Sequence, residues 1–150
     1  METEKKWLVT GAAHGLGLAT IKYLLSRQQM VIAIAEDTTR LDQDLPDNPL
    51  LDTILLDPTN EAQLAQLSDY LSVKYGMIDR LVNTTSTALR LIHYLLPLIR
   101  TNDKGHLIDF SITPSYNESL SVMIRRKAAA MGIKVTAPEQ KCPVFHFSFN

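Results

Sequence analysis

The sequence predicts one α/β domain over residues 1–150, a mainly parallel, doubly wound sheet of about seven strands in the order 3-2-1-4-5-6-7 with helices on both faces. Three observations predict it. Short apolar runs of strand length alternate along the chain with segments of helical period, the pattern of repeated strand-helix units with right-handed crossovers. The first run ends in a glycine-rich turn that opens into a helix. A chain of 150 residues, 45% of them hydrophobic, has room for one core and not two.

Composition narrows the function classes. With 15 basic and 16 acidic residues the formal charge is −1, which leaves no electrostatic footprint for nucleic acid or an anionic membrane. The lone cysteine, Cys142, excludes an intrachain disulfide, and no apolar run approaches the roughly 20 residues of a membrane span. The opening METEKKW lacks an apolar signal core, so the cytoplasm is the expected location. His14, His93, His106 and His146 show no ligand spacing, and no metal is expected.

Residues 7–17 (WLVTGAAHGLG) come first in the fold. Trp7, Leu8 and Val9 read as a buried strand, and Gly11, Gly15 and Gly17 let the backbone turn tightly with its amides outward. Ile21, Leu24 and Leu25 follow at helical spacing, placing Gly15 and Gly17 at a helix N-terminus, where unpaired N–H groups and the dipole favour an anion. The functional reading is a pyrophosphate held around Gly11, His14, Gly15, Leu16 and Gly17; the plain one is glycines that punctuate a turn.

Residues 30–35 (MVIAIA) make a second buried strand, which ends in Glu36 and Asp37 about 20 residues past the glycines. Acids there accept hydrogen bonds from the adenosine ribose and repel a 2′-phosphate, which favours NAD; nearby Arg40 keeps NADP open. The same acids suit a solvated loop. Residues 42–52 (DQDLPDNPLLD) read as a loop or a poorly formed helix, and residues 53–56 as a third strand. A helix over residues 61–74 carries Leu64, Leu67, Leu71 and Val73, with Asp57, Thr59 or Asn60 available to cap it.

Residues 86–100 (STALRLIHYLLPLIR) form a helix apolar round most of its circumference, hence central or shared with another subunit, and bent at Pro97. His93 within it reads as packed or hydrogen-bonded rather than as a ligand. Residues 105–112 (GHLIDFSI) read as a fifth strand and the alternating residues 144–149 (VFHFSF) as a last, half-buried one. Tyr116 falls at the start of a helix with Ser115 or Asn117 as caps, and Arg125, Arg126 and Lys127 form a solvated patch near its end.

The turn over residues 10–17 resembles the T-G-x-x-x-G-x-G turn of the short-chain dehydrogenase/reductase family, and the likeness spans nearly the whole chain. Residues 56–60 look like the family's Leu-Asp-Val-Thr-Asp stretch, which implies that Asp57 contacts adenine. Residues 78–83 (IDRLVN) are similar to its Ile-Asp-x-Leu-Val-Asn strand, which implies that Asn83 helps to hold the sheet and the cofactor edge. The family continues with Asn-Ala-Gly, whereas this chain has Thr84-Thr85-Ser86, whose side chains narrow the space a glycine leaves. Residues 86–100 resemble the helix on which relatives often dimerise, residues 105–112 the Gly-x-Ile-Val-Asn-Ile-Ser-Ser run, and residues 132–136 the Gly-Ile-Arg-Val-Asn strand.

This resemblance implies a Rossmann-like fold, an NAD(P) cofactor and oxidoreductase chemistry, but the catalytic residues do not carry over. The family serine falls on Ile112, leaving Ser111 one residue early and on the opposite face of the strand, with Thr113 beyond it. The Tyr-x-x-x-Lys pair is not intact: Tyr116 is followed four residues later by Leu120, and Lys127 is preceded four residues earlier by Met123. Tyr116 and Lys127 themselves lie about three helical turns apart, roughly 16 Å, too far for one to tune the other. Ser111, Tyr116 and Lys127 are the candidates for chemistry, with Thr113 as a further hydroxyl. The expectation is a dinucleotide-binding or scaffold protein without hydride-transfer residues. Two alternatives stand beside it: an active oxidoreductase using Tyr116 or Thr113 in a site completed by a partner, and a structural homo-oligomer joined through residues 86–100 with a vestigial nucleotide site.

Overall fold

Strands buried on both faces need apolar side chains at every position, and the central runs of this chain supply them. In the computed structural model, Lys6–Thr10 (β1), Met30–Ala35 (β2), Leu51–Leu55 (β3), Arg80–Asn83 (β4), His106–Asp109 (β5) and Lys134–Thr136 (β6) form one sheet in the order β3-β2-β1-β4-β5-β6, every neighbour parallel. The structure describes residues 5–13, 15–37, 39–45, 47–85, 89–102, 104–110 and 118–137, the side chains of residues 40 and 118–121 excepted. The strand expected over residues 144–149 lies outside them.

Two cores result, one on each face of the sheet. Gly15–Ser26 (α1) and Thr39–Asp44 (α2) bring Leu18, Ile21, Leu24 and Leu41 onto Trp7, Val9, Val31 and Ala33. Glu61–Lys74 (α3), Leu89–Leu95 (α4) and Glu118–Ala130 (α5) bring Leu64, Leu71, Leu91, Leu95 and Ile124 onto Leu8, Ile32, Leu81 and Leu107. Asn60 caps α3, its side chain accepting from the Gln63 N–H, and an Arg90–Glu61 ion pair ties α4 to α3.

Several local expectations need correction. β3 begins at Leu51 rather than Thr53, because the pairing with β2 runs down to Val31↔Leu51 and overrides the prolines before it. The region from residue 42, read as a loop or a poorly formed helix, holds the end of the short helix α2, started by Asp37, which accepts from the Thr39 N–H at 2.9 Å, and anchored among its described side chains by Leu41. Val73 is 90% exposed, so the apolar side of α3 is Leu64, Leu67 and Leu71 alone. Pro97 ends the helix instead of bending it: lacking an N–H, it closes the α-helical ladder at Leu95, and the chain continues as a 3-10 turn over Leu96–Leu98 to a parallel bridge between Ile99 and Ile78. Leu89, Leu91, Ile92 and Leu95 of α4 are all buried within the chain.

Candidate functional site

The turn after β1 is built by close approach. A Cβ on Gly17 would stand 2.0 Å from the carbonyl oxygen of Gly11, so α1 starts with its backbone against the end of β1. Gly11 has φ +62° and faces Thr84, whose Oγ1 donates to the Thr10 carbonyl at 2.8 Å; a Cβ on Gly11 would lie 2.4 Å from that oxygen. Gly15, the first residue of α1, has φ +59°, and among the described residues beyond its chain neighbours and its own helix backbone no atom lies within 4 Å of where its Cβ would stand. The turn is therefore packed from behind and open in front.

A cavity of about 490 Å³ lies in front of it, a size proper to a small-molecule site. Its wall runs from Thr10 to Leu16 along the turn, through Ala35, Glu36 and Asp37 at the end of β2, to Leu56 and Pro58 after β3, with Thr84, Thr85 and Leu91 also lining it. Glu36 and Asp37 are both exposed there. The Asp37 carboxyl is held below the usual range by hydrogen bonds from the Thr39 side chain and backbone, so it stays charged.

Asp57 and Asn83 occupy different roles. Asp57 sits on an adjoining groove with Glu36, Gln63 and Tyr70, and its Oδ1 accepts from the Thr59 N–H at 2.9 Å and Oγ1 at 2.7 Å. These bonds depress its pKa. Asn83 is fully buried and does not line the cavity: it accepts from Thr10 Oγ1 at 2.6 Å and donates to Asp109 Oδ1 at 3.0 Å. Its contacts with the site are through Thr10 and, more weakly, through the Thr85 N–H, which donates to the same Oδ1 at 3.5 Å.

Of the candidates for chemistry, Lys127 is exposed on α5 and does not line the cavity, while Ser111, Thr113 and Tyr116 lie outside the described residues, as does His14. Arg125 corrects the expectation of a solvated patch. Its Nε and Nη2 reach Asp109 Oδ2 at 3.1 and 3.0 Å, because a carboxylate only 3% exposed at the end of β5 draws the nearest guanidinium of α5 inward. His93 is exposed, its ring edge-to-face with Tyr94 at 6.4 Å.

One signal was legible and missed. Tyr70 and Lys74 have the Tyr-x-x-x-Lys spacing and lie side by side on α3, Nζ 3.0 Å from the hydroxyl. Neither lines the cavity before the glycine turn. Both donate to Asp52 Oδ2 near the start of β3, at 3.2 and 3.0 Å, and Tyr75 OH joins them at 2.5 Å. Bonds to Tyr70 and Asp52 raise the Lys74 pKa, and burial with the Asp52 bond pushes Tyr75 up to about 12. Both shifts run upward, away from the neutral range in which a general base must titrate.

Among the described residues no three metal-ligating side chains come together, and no helix is long and apolar enough to cross a membrane. The short chain dehydrogenase family profile matches residues 5–136. An uncharacterized oxidoreductase of Staphylococcus saprophyticus is 27% identical over 145 residues, which cover 89% of this chain and 62% of that protein. Among solved structures, a short-chain dehydrogenase from Streptomyces avermitilis is similar over 90% of this chain and 65% of its own, at 25% identity and a TM-score of 0.68. The Caenorhabditis elegans protein Sniffer, provisionally named a carbonyl reductase, shares the fold at 16% identity and a TM-score of 0.72, over 90% of this chain and 84% of its own. The chain thus spans less than two thirds of the length of the first two of these relatives. With the family profile matched almost from end to end, the parallel sheet in the order 3-2-1-4-5-6 and the glycine turn at its centre, this chain belongs to the short-chain dehydrogenase family, whose members generally bind NAD(P).

Proposed function

We propose that this chain binds a nicotinamide adenine dinucleotide in the cavity before the glycine turn, prefers NAD(H) to NADP(H), and lacks the hydride-transfer pair of its family, acting as a cofactor-binding or scaffold protein. The observation that carries the proposal is Gly15: an open, positive-φ residue at the first position of a helix, with two exposed carboxylates on the same cavity wall. The residues fit the group. Gly15, Leu16 and Gly17 offer helix N-terminal amides to a diphosphate, and Glu36 and Asp37 offer acceptors to a ribose diol while repelling a 2′-phosphate.

A bound dinucleotide supplies a hydride donor or acceptor; this chain supplies the binding surface. Among the described residues, Glu36 and Asp37 are the only titratable groups lining the cavity, and both stand at its ribose end. Calorimetric titration with NAD, NADH, NADP and NADPH tests the proposal. Binding of the NAD forms, with Glu36→Ala and Asp37→Ala narrowing the gap to NADP, is expected; no heat from any of the four at millimolar concentration overturns it.

A second reading keeps the chemistry. The staphylococcal relative carries an oxidoreductase name, and a site using Tyr116 or Thr113 and completed by a partner subunit would be active. Turnover on a panel of carbonyl compounds that disappears in Tyr116→Phe supports this reading, and unchanged turnover removes Tyr116 from it. Oligomerisation through residues 86–100 has less support, since the apolar side chains of α4 are already buried within the chain.

A further inference from the structure

Four side chains run in series along the end of the sheet. Thr10, Asn83 and Asp109 close β1, β4 and β5, and Arg125 meets them from α5. Thr10 Oγ1 donates to Asn83 Oδ1 at 2.6 Å, Asn83 Nδ2 donates to Asp109 Oδ1 at 3.0 Å, and Arg125 grips Asp109 Oδ2 with Nε and Nη2. The first three are 1%, 0% and 3% exposed, so water cannot stand in for a lost partner.

Direction is enforced from the charged end. A carboxylate only accepts, so the Asn83 amide must turn Nδ2 toward Asp109 and Oδ1 toward Thr10, and Thr10 must then donate. The carboxylate is sustainable at that depth because a guanidinium faces it. At the other end of the series Thr10 precedes Gly11, and its carbonyl takes the Thr84 hydroxyl. We propose that Arg125 is a positioning residue for the phosphate-binding turn, acting through Asp109 and Asn83 on Thr10. This rests on the nucleotide reading of the cavity. In the family the position of Asp109 is an asparagine, so a neutral end to the series is chemically available; this chain has a charged one, and Arg125 is its counterpart.

The test uses the full chain and three variants, Arg125→Met, Arg125→Lys and the double variant Asp109→Asn/Arg125→Met, with ADP and NAD as probes. Measured are the calorimetric affinities and the amide resonances of Gly11 and Gly17. Arg125→Met is expected to shift the Gly11 resonance and weaken ADP about tenfold, the size of coupling usual within one hydrogen-bonded network. Arg125→Lys should fall between, and the charge-free double variant should recover to within about threefold of the parent. The inference is overturned if Arg125→Met lowers the melting temperature but leaves both resonances and the ADP affinity unchanged, or if the double variant binds as poorly as Arg125→Met. Should Arg125→Met not fold, the Lys variant and the double variant decide by the same readouts. Should the parent bind neither probe, the nucleotide reading falls, and the Gly11 and Gly17 resonances still decide for or against a positioning role.

Discussion

At the scale of single residues, the three glycines of the turn do different work, and substitution separates them. Gly17→Ala drives a methyl into the Gly11 carbonyl and should cost about 2–3 kcal/mol of stability, read from denaturant midpoints. Gly15→Ala meets no neighbouring atom and carries only the positive-φ penalty of about 1 kcal/mol, so its larger effect should fall on nucleotide affinity. His106 gives a pH prediction. Partial burial and the charges of Arg80 and Lys134 push its pKa down to about 4, and its Nε2 lies 2.6 Å from Thr136 Oγ1. Because the unfolded chain takes up this proton near pH 6.5 and the folded one only near 4, its stability contribution is complete above the first value and is lost as pH falls toward the second. A change on the order of 1 kcal/mol, discounted for partial exposure, should vanish in His106→Gln. Such effects are invisible in sequence because Arg80, His106 and Thr136 meet only across strands.

At the scale of elements, β3 is an edge strand tied to α3 by a polar staple in addition to the packing of Ile54 and Leu51 on the two cores. Burial raises the Asp52 pKa, but bonds from Tyr75 and Lys74 more than offset it, so the carboxylate stays charged. Asp52→Asn should cost about 0.5–1 kcal/mol and speed amide exchange in β3 ahead of β1 and β2, measured by hydrogen-deuterium exchange. The central strands were readable because a run such as MVIAIA has few other places to go. Edges were not: the start of β3 depends on its partner β2, and among the described side chains of α2 Leu41 alone is buried. Pro97 was visible, yet whether it bends or ends a helix depends on what Ile99 pairs with afterwards.

At the scale of the molecule, the parallel order and the glycine turn followed from the repeated strand-helix pattern, since both are local signals repeated along the chain. The arrangement around the site was less legible. Spacing brought Tyr116 and Lys127 to notice and passed over Tyr70 and Lys74, although only location tells a staple from a catalytic pair. Likewise Arg125 resembled its solvated neighbours in sequence and differs from them only through Asp109. Saturation with NAD at a hundredfold excess over Kd should stabilise the whole fold by about 2.7 kcal/mol, a rise of roughly 5–10 °C in Tm, with a smaller rise for NADP. The hydroxyl of Thr84 has one more consequence. A turn already clamped on its inner side by β4 has little conformational freedom left to surrender, so a nucleotide should dock in one fast, single-exponential step in stopped-flow. Replacing that residue with glycine should introduce a slower second phase as the freed loop settles around its guest.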